Sequence, residues 1–271
     1  MSVSFESLRL FINQHHHPTT KISFMKKILA FISFIALGFV GYAQNTDEVI
    51  KGYFNAVGGA DKMKALQSVK ATGNFQQGGM NIPFVMYQKR PMKQLLEVTF
   101  QGMTQKIAYD GTSGWIINPF SGRTTAEKMD ADQEKETRFQ ADIDGPFIDY
   151  AAKGYKVDYA GEEDIEGSPA YHLIVTTREG DVRDYYFDKD SYLMIKQKDH
   201  VKMQDGSTNE SETNFSDYKE VNGILMPHTV ENIGEFQGQR FSSFIKIDSI
   251  EQNVAIDDAL FKMPDSTGST K

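Results

Sequence analysis

From about residue 69 to residue 251 the chain alternates apolar and polar residues with a period of two, and short turn sequences interrupt the alternation at close intervals. A helix needs a period near 3.6, so this pattern commits most of the chain to half-buried strands. Candidate strands run over 69–76, 82–88, 94–100, 104–109 and 114–118, then 155–160, 170–177, 183–188, 192–201, 208–220, 224–233 and 240–251. Their joints carry turn chemistry: Gly78-Gly79, Arg90-Pro91, Gln101-Gly102, Asp110-Gly111, Ser121-Gly122, Glu166-Gly167, Asp205-Gly206 and Asn222-Gly223. Joints this short connect antiparallel neighbours, which predicts a meander of roughly a dozen strands in a mainly β domain.

Several strands are apolar on both sides. In "YHLIV" (171–175), His172 and Ile174 point one way and Tyr171, Leu173 and Val175 the other. A flat, half-solvated sheet does not need this. A curved sheet covered by helices, or a barrel with an apolar interior, does.

Helical stretches are few. Asp47 to Val57 places Val49, Ile50, Tyr53, Phe54 and Val57 on one face and stops at Gly58-Gly59, and 61–67 suits another turn or two of helix. Residues 124–154 interrupt the strands with two predicted short helices, "AEKMDADQEKETRFQADI" and "GPFIDYAAKG", the second opened by Pro146 and stopped by Gly154.

The front reads differently. "MKKILAFISFIALGFVGYA" (25–43) has Lys26 and Lys27, then an apolar run from Ile28 to Val40, then small residues at 41–43. The run is too short to span a bilayer and has the layout of a cleaved secretory signal, with cleavage expected after Ala43. A start at Met25 fits this layout, leaving 1–24 as an extension whose His15, His16 and His17 carry no expected role. The expected organisation is 1–43 extension and leader, 44–264 one domain, and 265–271 a polar tail.

The formal net charge is −8, and the front holds four basic residues against one acid, so the remainder is more acidic still. No basic face is available for nucleic acid. The chain has no cysteine, which removes thiolate catalysis, cysteine-based metal sites, disulfides and an acylated N-terminal cysteine. His172, His200 and His228 lack metal-ligand spacing, the acids Glu162, Glu163, Asp164, Asp184 and Asp188 sit at strand ends and turns, and there is no nucleophile elbow, phosphate loop or dinucleotide fingerprint. No catalytic residue, metal or cofactor is therefore expected.

The corner "YQKRPMKQLLEV" (87–98) sets Arg90 where the strand pattern breaks. Two readings stand: a solvated turn arginine, or a residue that controls access to something apolar. The stretch "YDGTSGWIINPFSG" (109–122) resembles the Asp-Gly-x-x-x-Trp-x-x-x-Pro-Phe segment of LolA-type lipoprotein carriers, with Asp110, Gly111, Trp115, Asn118, Pro119 and Phe120 at the matching positions. Upstream "QKRP" is similar to the family's Lys-Arg-Pro corner. Downstream "FDKDSYLMIKQK" and "DDALFKMP" resemble its later strands and its C-terminal close, and together these segments cover 45–264. Leu96 stands where family members often carry a tryptophan, and the 181–202 half looks like a broader superfamily.

The resemblance implies a single unclosed, strongly curved antiparallel β-barrel of about eleven strands with a helical lid over its concave face. It further implies a soluble periplasmic carrier for the acyl chains of lipoproteins or related lipids, expected to be monomeric, passing cargo from inner-membrane release machinery to an outer-membrane acceptor. The alternative on the same fold is a non-catalytic envelope interaction module. Arg90 becomes the lid-gating residue, because in the family the corner arginine bonds lid carbonyls. Phe84, Met86, Leu96, Val98, Trp115 and Ile117 are candidates for cavity lining; strand parity leaves core packing open for each of them.

Overall fold

The computed structural model describes residues 45–236 and 239–265. The expected leader, its cleavage point, the histidines at 15–17 and nearly all of the polar tail lie outside these residues. Helix α1 covers 45–57, followed by α2 (Ala60–Ala65). Five strands come next: β1 (Ser68–Gln77), β2 (Met80–Lys89), β3 (Lys93–Phe100), β4 (Met103–Tyr109) and β5 (Gly114–Asn118). After β6 (Arg123–Lys128) and α3 (Ala131–Gln140) come β7 (Lys156–Ile165), β8 (Ser168–Thr176), β9 (Val182–Asp188) and β10 (Met194–Lys202). The last three strands are β11 (Thr208–Val221), β12 (Ile224–Phe236) and β13 (Gln239–Gln252).

All thirteen strands form one antiparallel sheet, ordered β6-β5-β4-β3-β2-β1-β13-β12-β11-β10-β9-β8-β7. The expected count of about eleven is thus corrected to thirteen. One addition is β6, which the sequence reads as the approach to a helix; pairing with β5, Trp115 opposite Lys128 and Ile116 opposite Glu127, holds it extended despite its charges. The expected helix at 145–154 is corrected too. It is a run of turns, with Gly145 (φ 60°) and Asp149 (φ 52°) in the left-handed region that a continuous helix cannot contain. α3 is capped by Asp130, whose carboxylate accepts from the Gln133 amide, so the interrupting helix is shorter than expected.

The sheet is open, with β6 and β7 at its edges. It bends nevertheless. Glu134 on α3 accepts from the Gly114 amide of β5, while Glu136, one half-turn on, meets Arg183 of β9 at 2.6 Å. Those strands are nine positions apart, about 40 Å if the sheet were flat, and a ten-residue helix spans about 15 Å. The sheet is therefore bent, but it neither closes nor curls strongly, and the expected strongly curved barrel is corrected to an open sheet.

Two faces result. The inner face carries α1, α3 and the 143–154 turns. Its core joins Val49 and Ile50 of α1 to Phe147, Leu173, Val175, Tyr185 and Phe187, with Phe147 set edge-on to Tyr185 and Phe187 at 5.0 and 5.5 Å. The outer face is closed by the C-terminal segment. Leu95, Ala108 and Trp115 pack there against Ile256 and Phe261, and the Trp115 indole donates to the Phe261 carbonyl at 2.8 Å. Trp115, the only tryptophan, is 2% exposed and Phe261 is fully buried. Phe261→Ala is therefore expected to cost about 3–5 kcal/mol and to red-shift the tryptophan emission in folded protein; urea titration followed by fluorescence measures both.

Candidate functional site

The site is built from the corner between β2 and β3. The Arg90-Pro91 bond is cis, and Met92 has φ 109°. The Arg90 amide donates to the Gln67 carbonyl at 3.0 Å, so the corner is pinned beside the end of α2. The guanidinium then uses its fork. Nε donates to the Leu66 carbonyl at 2.5 Å and Nη2 to the Met63 carbonyl at 3.3 Å. Nη1 and Nη2 also grip both oxygens of Asp144, at 2.6 and 2.5 Å. The carbonyls at a helix C-terminus have no partner within the helix and carry its partial negative charge, so a cation with several donors in one plane suits them. The planar pairing with Asp144 is the strong bidentate kind.

Both partners are mostly buried, the Arg90 side chain 25% exposed and that of Asp144 18%. The hydrogen bond to Arg90 lowers the Asp144 carboxyl below the ordinary aspartate value, against the opposing effect of burial. Arg90 thus ties three segments together: the β2–β3 corner, α2 and the 143–154 turns. Lys153 reinforces the last of these, reaching Asp142 at 2.5 Å and the Gly145 carbonyl at 2.6 Å.

Beside Arg90 lies a cleft of about 370 Å³, lined by Phe139, Asp144, Lys153, Tyr155, Arg178 and Arg183 among others. Charged side chains ring it, and Pro91, Met92, Phe139, Ile143 and Tyr155 give it apolar wall as well. The apolar surface lies on the inner face of the sheet, where the register places rows of apolar side chains on one side. Phe215, Val230, Ile245, Phe75 and Ile82 pair in sequence across β11, β12, β13, β1 and β2. Ala71, Met86, Leu96, Ile107 and Ile116 do the same across β1 to β5. Phe84 and Val98 pair between the rows, opposite Gly73. A Cβ on Gly73 would sit 2.8 Å from the Phe84 ring and closer still to the Lys246 carbonyl, so glycine there lets the ring approach the sheet.

Of the residues singled out from sequence, Phe84, Met86, Leu96 and Val98 lie together on this inner face. Phe84 is buried; the other three are half-buried. Trp115 and Ile117 lie on the outer face with the C-terminal segment, so they share no space with the other four. Alternation places Leu96 and Ile107 on one face of a pair and Leu95 and Ala108 on the other, but it does not say which face meets the helices. Sequence reading did not single out Asp144, because its partner is 54 residues away. Phe75, Ile107 and Phe215 were within reach, since all three sit at alternating positions in strands that the pattern located.

The outer face of the second half carries a different arrangement. His172 lies 2.8 Å from Glu163 and 2.7 Å from Asp184, and His200 lies 3.1 Å from the other Asp184 oxygen. Among the described residues, no group of three or more histidine or acidic side chains is placed to hold a metal ion.

No protein-family model matches the sequence, and no curated protein is significantly similar to it. Solved structures do match. A LolA superfamily protein from Nitrosomonas europaea superposes with a TM-score of 0.55 at 11% identity, over 80% of this chain and 97% of the other. A putative outer membrane lipoprotein-sorting protein domain from Vibrio parahaemolyticus gives 0.52 at 12% identity, over 74% and 94%. A DUF1329 family protein from Desulfovibrio piger gives 0.52 at 16% identity, over 77% and 95%. At these identities the likeness is one of fold, and the fold of this chain is that of LolA-like proteins.

Proposed function

We propose that the chain is a carrier that shelters the acyl chains of lipoproteins or related lipids against the inner face of its bent sheet, with the helices and the 143–154 turns as its lid. The observation that carries this reading is the Arg90 fork, which joins the sheet corner to α2 and Asp144 across the edge of an apolar face. An acyl chain of about 15 carbons gains on the order of 12 kcal/mol by leaving water, at ~0.8 kcal/mol per methylene. A membrane offers nearly the same gain, so preference between carrier and membrane is small and a few polar bonds can tip it.

On this reading the protein works without catalysis or cofactor, after export to the periplasm directed by 25–43. It receives cargo from an inner-membrane release system and delivers it to an outer-membrane acceptor. Phe84, Met86, Leu96 and Val98 line the shelter and Arg90 gates it. No helix among the described residues is long and apolar enough to cross a membrane.

The test is direct. Arg90→Leu is expected to leave the fold intact, to speed hydrogen exchange in 60–66 and 142–154 at least tenfold, and to speed release of a fluorescent fatty acid. Unchanged exchange together with unchanged release would remove the gate. A wild-type protein that binds no fatty acid probe and yields no lipid on mass spectrometry would favour an envelope interaction module on the same fold.

The pair also predicts a pH dependence. Asp144 is depressed in the folded state, so its contribution is fully present above the ordinary aspartate value of about 3.9 and is lost as pH falls through its lower folded value. Asp144→Asn is expected to be about 1–3 kcal/mol less stable than wild type at pH 7. The difference should shrink below about pH 4, as denaturant titrations at several pH values would read.

A further inference from the structure

Four of the large exposed hydrophobic side chains share one end of the sheet. Met80 (46% exposed), Met103 (40%), Phe120 (43%) and Phe241 (45%) sit at or beside the tips of the β1–β2, β3–β4, β5–β6 and β12–β13 hairpins. These hairpins are consecutive in the sheet order. The register sets them nearly level. Met80 pairs with Gln77, Met103 with Phe100, and Gln76 with Phe244, three residues from Phe241. The Phe120 ring lies 6.3 Å from that of Phe100, joining the second and third tips. Successive tips are two strands apart, about 10 Å.

Their turn sequences are alike in charge. Residues 76–81, 100–104, 118–123 and 236–242 contain no aspartate or glutamate, in a chain with 37 acidic residues, and their only charges are Arg123 and Arg240. The nearest carboxylates along the chain, Glu97, Glu127 and Glu235, belong to the strands; Glu127 lies 3.7 Å from Arg123. Elsewhere the turns are acidic, as at Asp110, Glu166, Glu179-Gly180-Asp181 and Asp205.

We propose that this row of hairpin tips is a membrane-docking rim, seating the protein on a phospholipid surface with Met80, Met103, Phe120 and Phe241 among the acyl chains. Separated apolar points about 10 Å apart, on turns of Gly, Gln, Asn, Thr and Ser, need a soft partner that deforms around each one. A bilayer interface does this, whereas a protein partner would need a pocket for every tip. The missing carboxylates remove the groups that anionic head groups repel most, and Arg123 attracts them. The rim does not depend on acyl carriage: a protein with an empty or filled inner face could dock this way.

The absence of native cysteine makes the test clean. Single cysteines introduced as Met80→Cys, Met103→Cys, Phe120→Cys or Phe241→Cys in the full chain, and as Thr112→Cys and Asn222→Cys at the opposite end, are labelled with a polarity-sensitive fluorophore. They are then mixed with phosphatidylethanolamine–phosphatidylglycerol vesicles. Tip labels are expected to shift to the blue and to be quenched by quenchers placed in the acyl region, while labels at 112 and 222 are not. Because the readout is local to each site, binding through the apolar N-terminal run leaves the tip labels silent and overturns the rim. Tip labels that shift only at high protein concentration without vesicles would assign the rim to self-association and likewise overturn it. Changing all four residues to serine should weaken the vesicle-dependent quenching at a fifth label, Thr104→Cys, at least tenfold. Unchanged quenching there would count against the proposal. Fatty acid binding by the serine variant is expected to stay as in wild type, so failure of the rim and failure of the carrier reading are separable.

Discussion

Arg183→Met is expected to cost about 3–5 kcal/mol of folding stability. Arg183 is the second residue of β9, with 2% exposure. It meets Asp199 at 2.8 Å and Glu136 at 2.6 Å, and its guanidinium lies 3.7 Å above the Phe139 ring. Burial opposes its charge, but Asp199 and Glu136 together hold the guanidinium above its ordinary value. Removing it strands Asp199, which is also buried and, among the described residues, is otherwise bonded by neutral groups, Gln197 at 2.7 Å and Ser211 at 3.4 Å. Glu136 can turn to solvent; Asp199 cannot. The double change Arg183→Met with Asp199→Leu should therefore recover most of the loss, because the ion pair is replaced by apolar contact instead of being broken. The Arg183 Nε is buried without a partner, which lowers the cost of losing this particular arginine. Chemical denaturation of the single and double variants decides the matter: a single variant within about 1 kcal/mol of wild type would show that Asp199 is not held by Arg183.

Leu96→Glu and Ile117→Glu should part company. Leu96 is half-buried in the inner row between Met86 and Ile107. A carboxylate there stays in reach of water, so the fold should survive, while binding of a fluorescent fatty acid weakens by a factor of ten or more, equivalent to about 1.4 kcal/mol or above. Ile117 packs against the outer cluster of Leu95, Ala108, Trp115 and Phe261. Ile117 is half-buried like Leu96, so a carboxylate there should lower stability by only about 1–2 kcal/mol, through lost packing on the outer cluster, and leave the affinity of the folded fraction unchanged. Equal effects of the two changes on probe affinity would mean that the inner face is not where the probe sits.

The strands were legible because alternation is a local signal, and their ends were close because glycine turns punctuate them. β6 was not, since "RTTAEK" has the composition of a helix start and becomes a strand only by pairing with β5. The helix expected from Pro146 to Gly154 failed at Asp149, a residue type that tolerates the left-handed region without announcing it. Parity correctly divides Met86 and Leu96 from Tyr87 and Leu95, yet it cannot say that the C-terminal segment, some 140 residues downstream of Trp115, would claim the outer side. The Arg90 corner was recognisable as a break in pattern. Its partners at 63, 66 and 144 were not, because a salt bridge leaves no trace in spacing along the chain. Arg183 left a usable signal: an arginine alternating with Tyr185 and Phe187 on one face of a strand needs a buried counter-charge.

The strand order has a consequence for how the chain reaches this state. β1 to β6 and β7 to β13 are each runs of sequential hairpins, which can zip locally as the chain is made. The halves are sewn by a single seam, β1 against β13, whose partners are about 180 residues apart, as in Val69 opposite Gln252. Until residues near 252 have emerged, each half presents an unsatisfied edge, and closing so long a loop is the slow, entropically costly step. Biogenesis thus ends on the last strand, and truncations that remove β13 should yield two sticky half-sheets in place of a shorter version of the same protein.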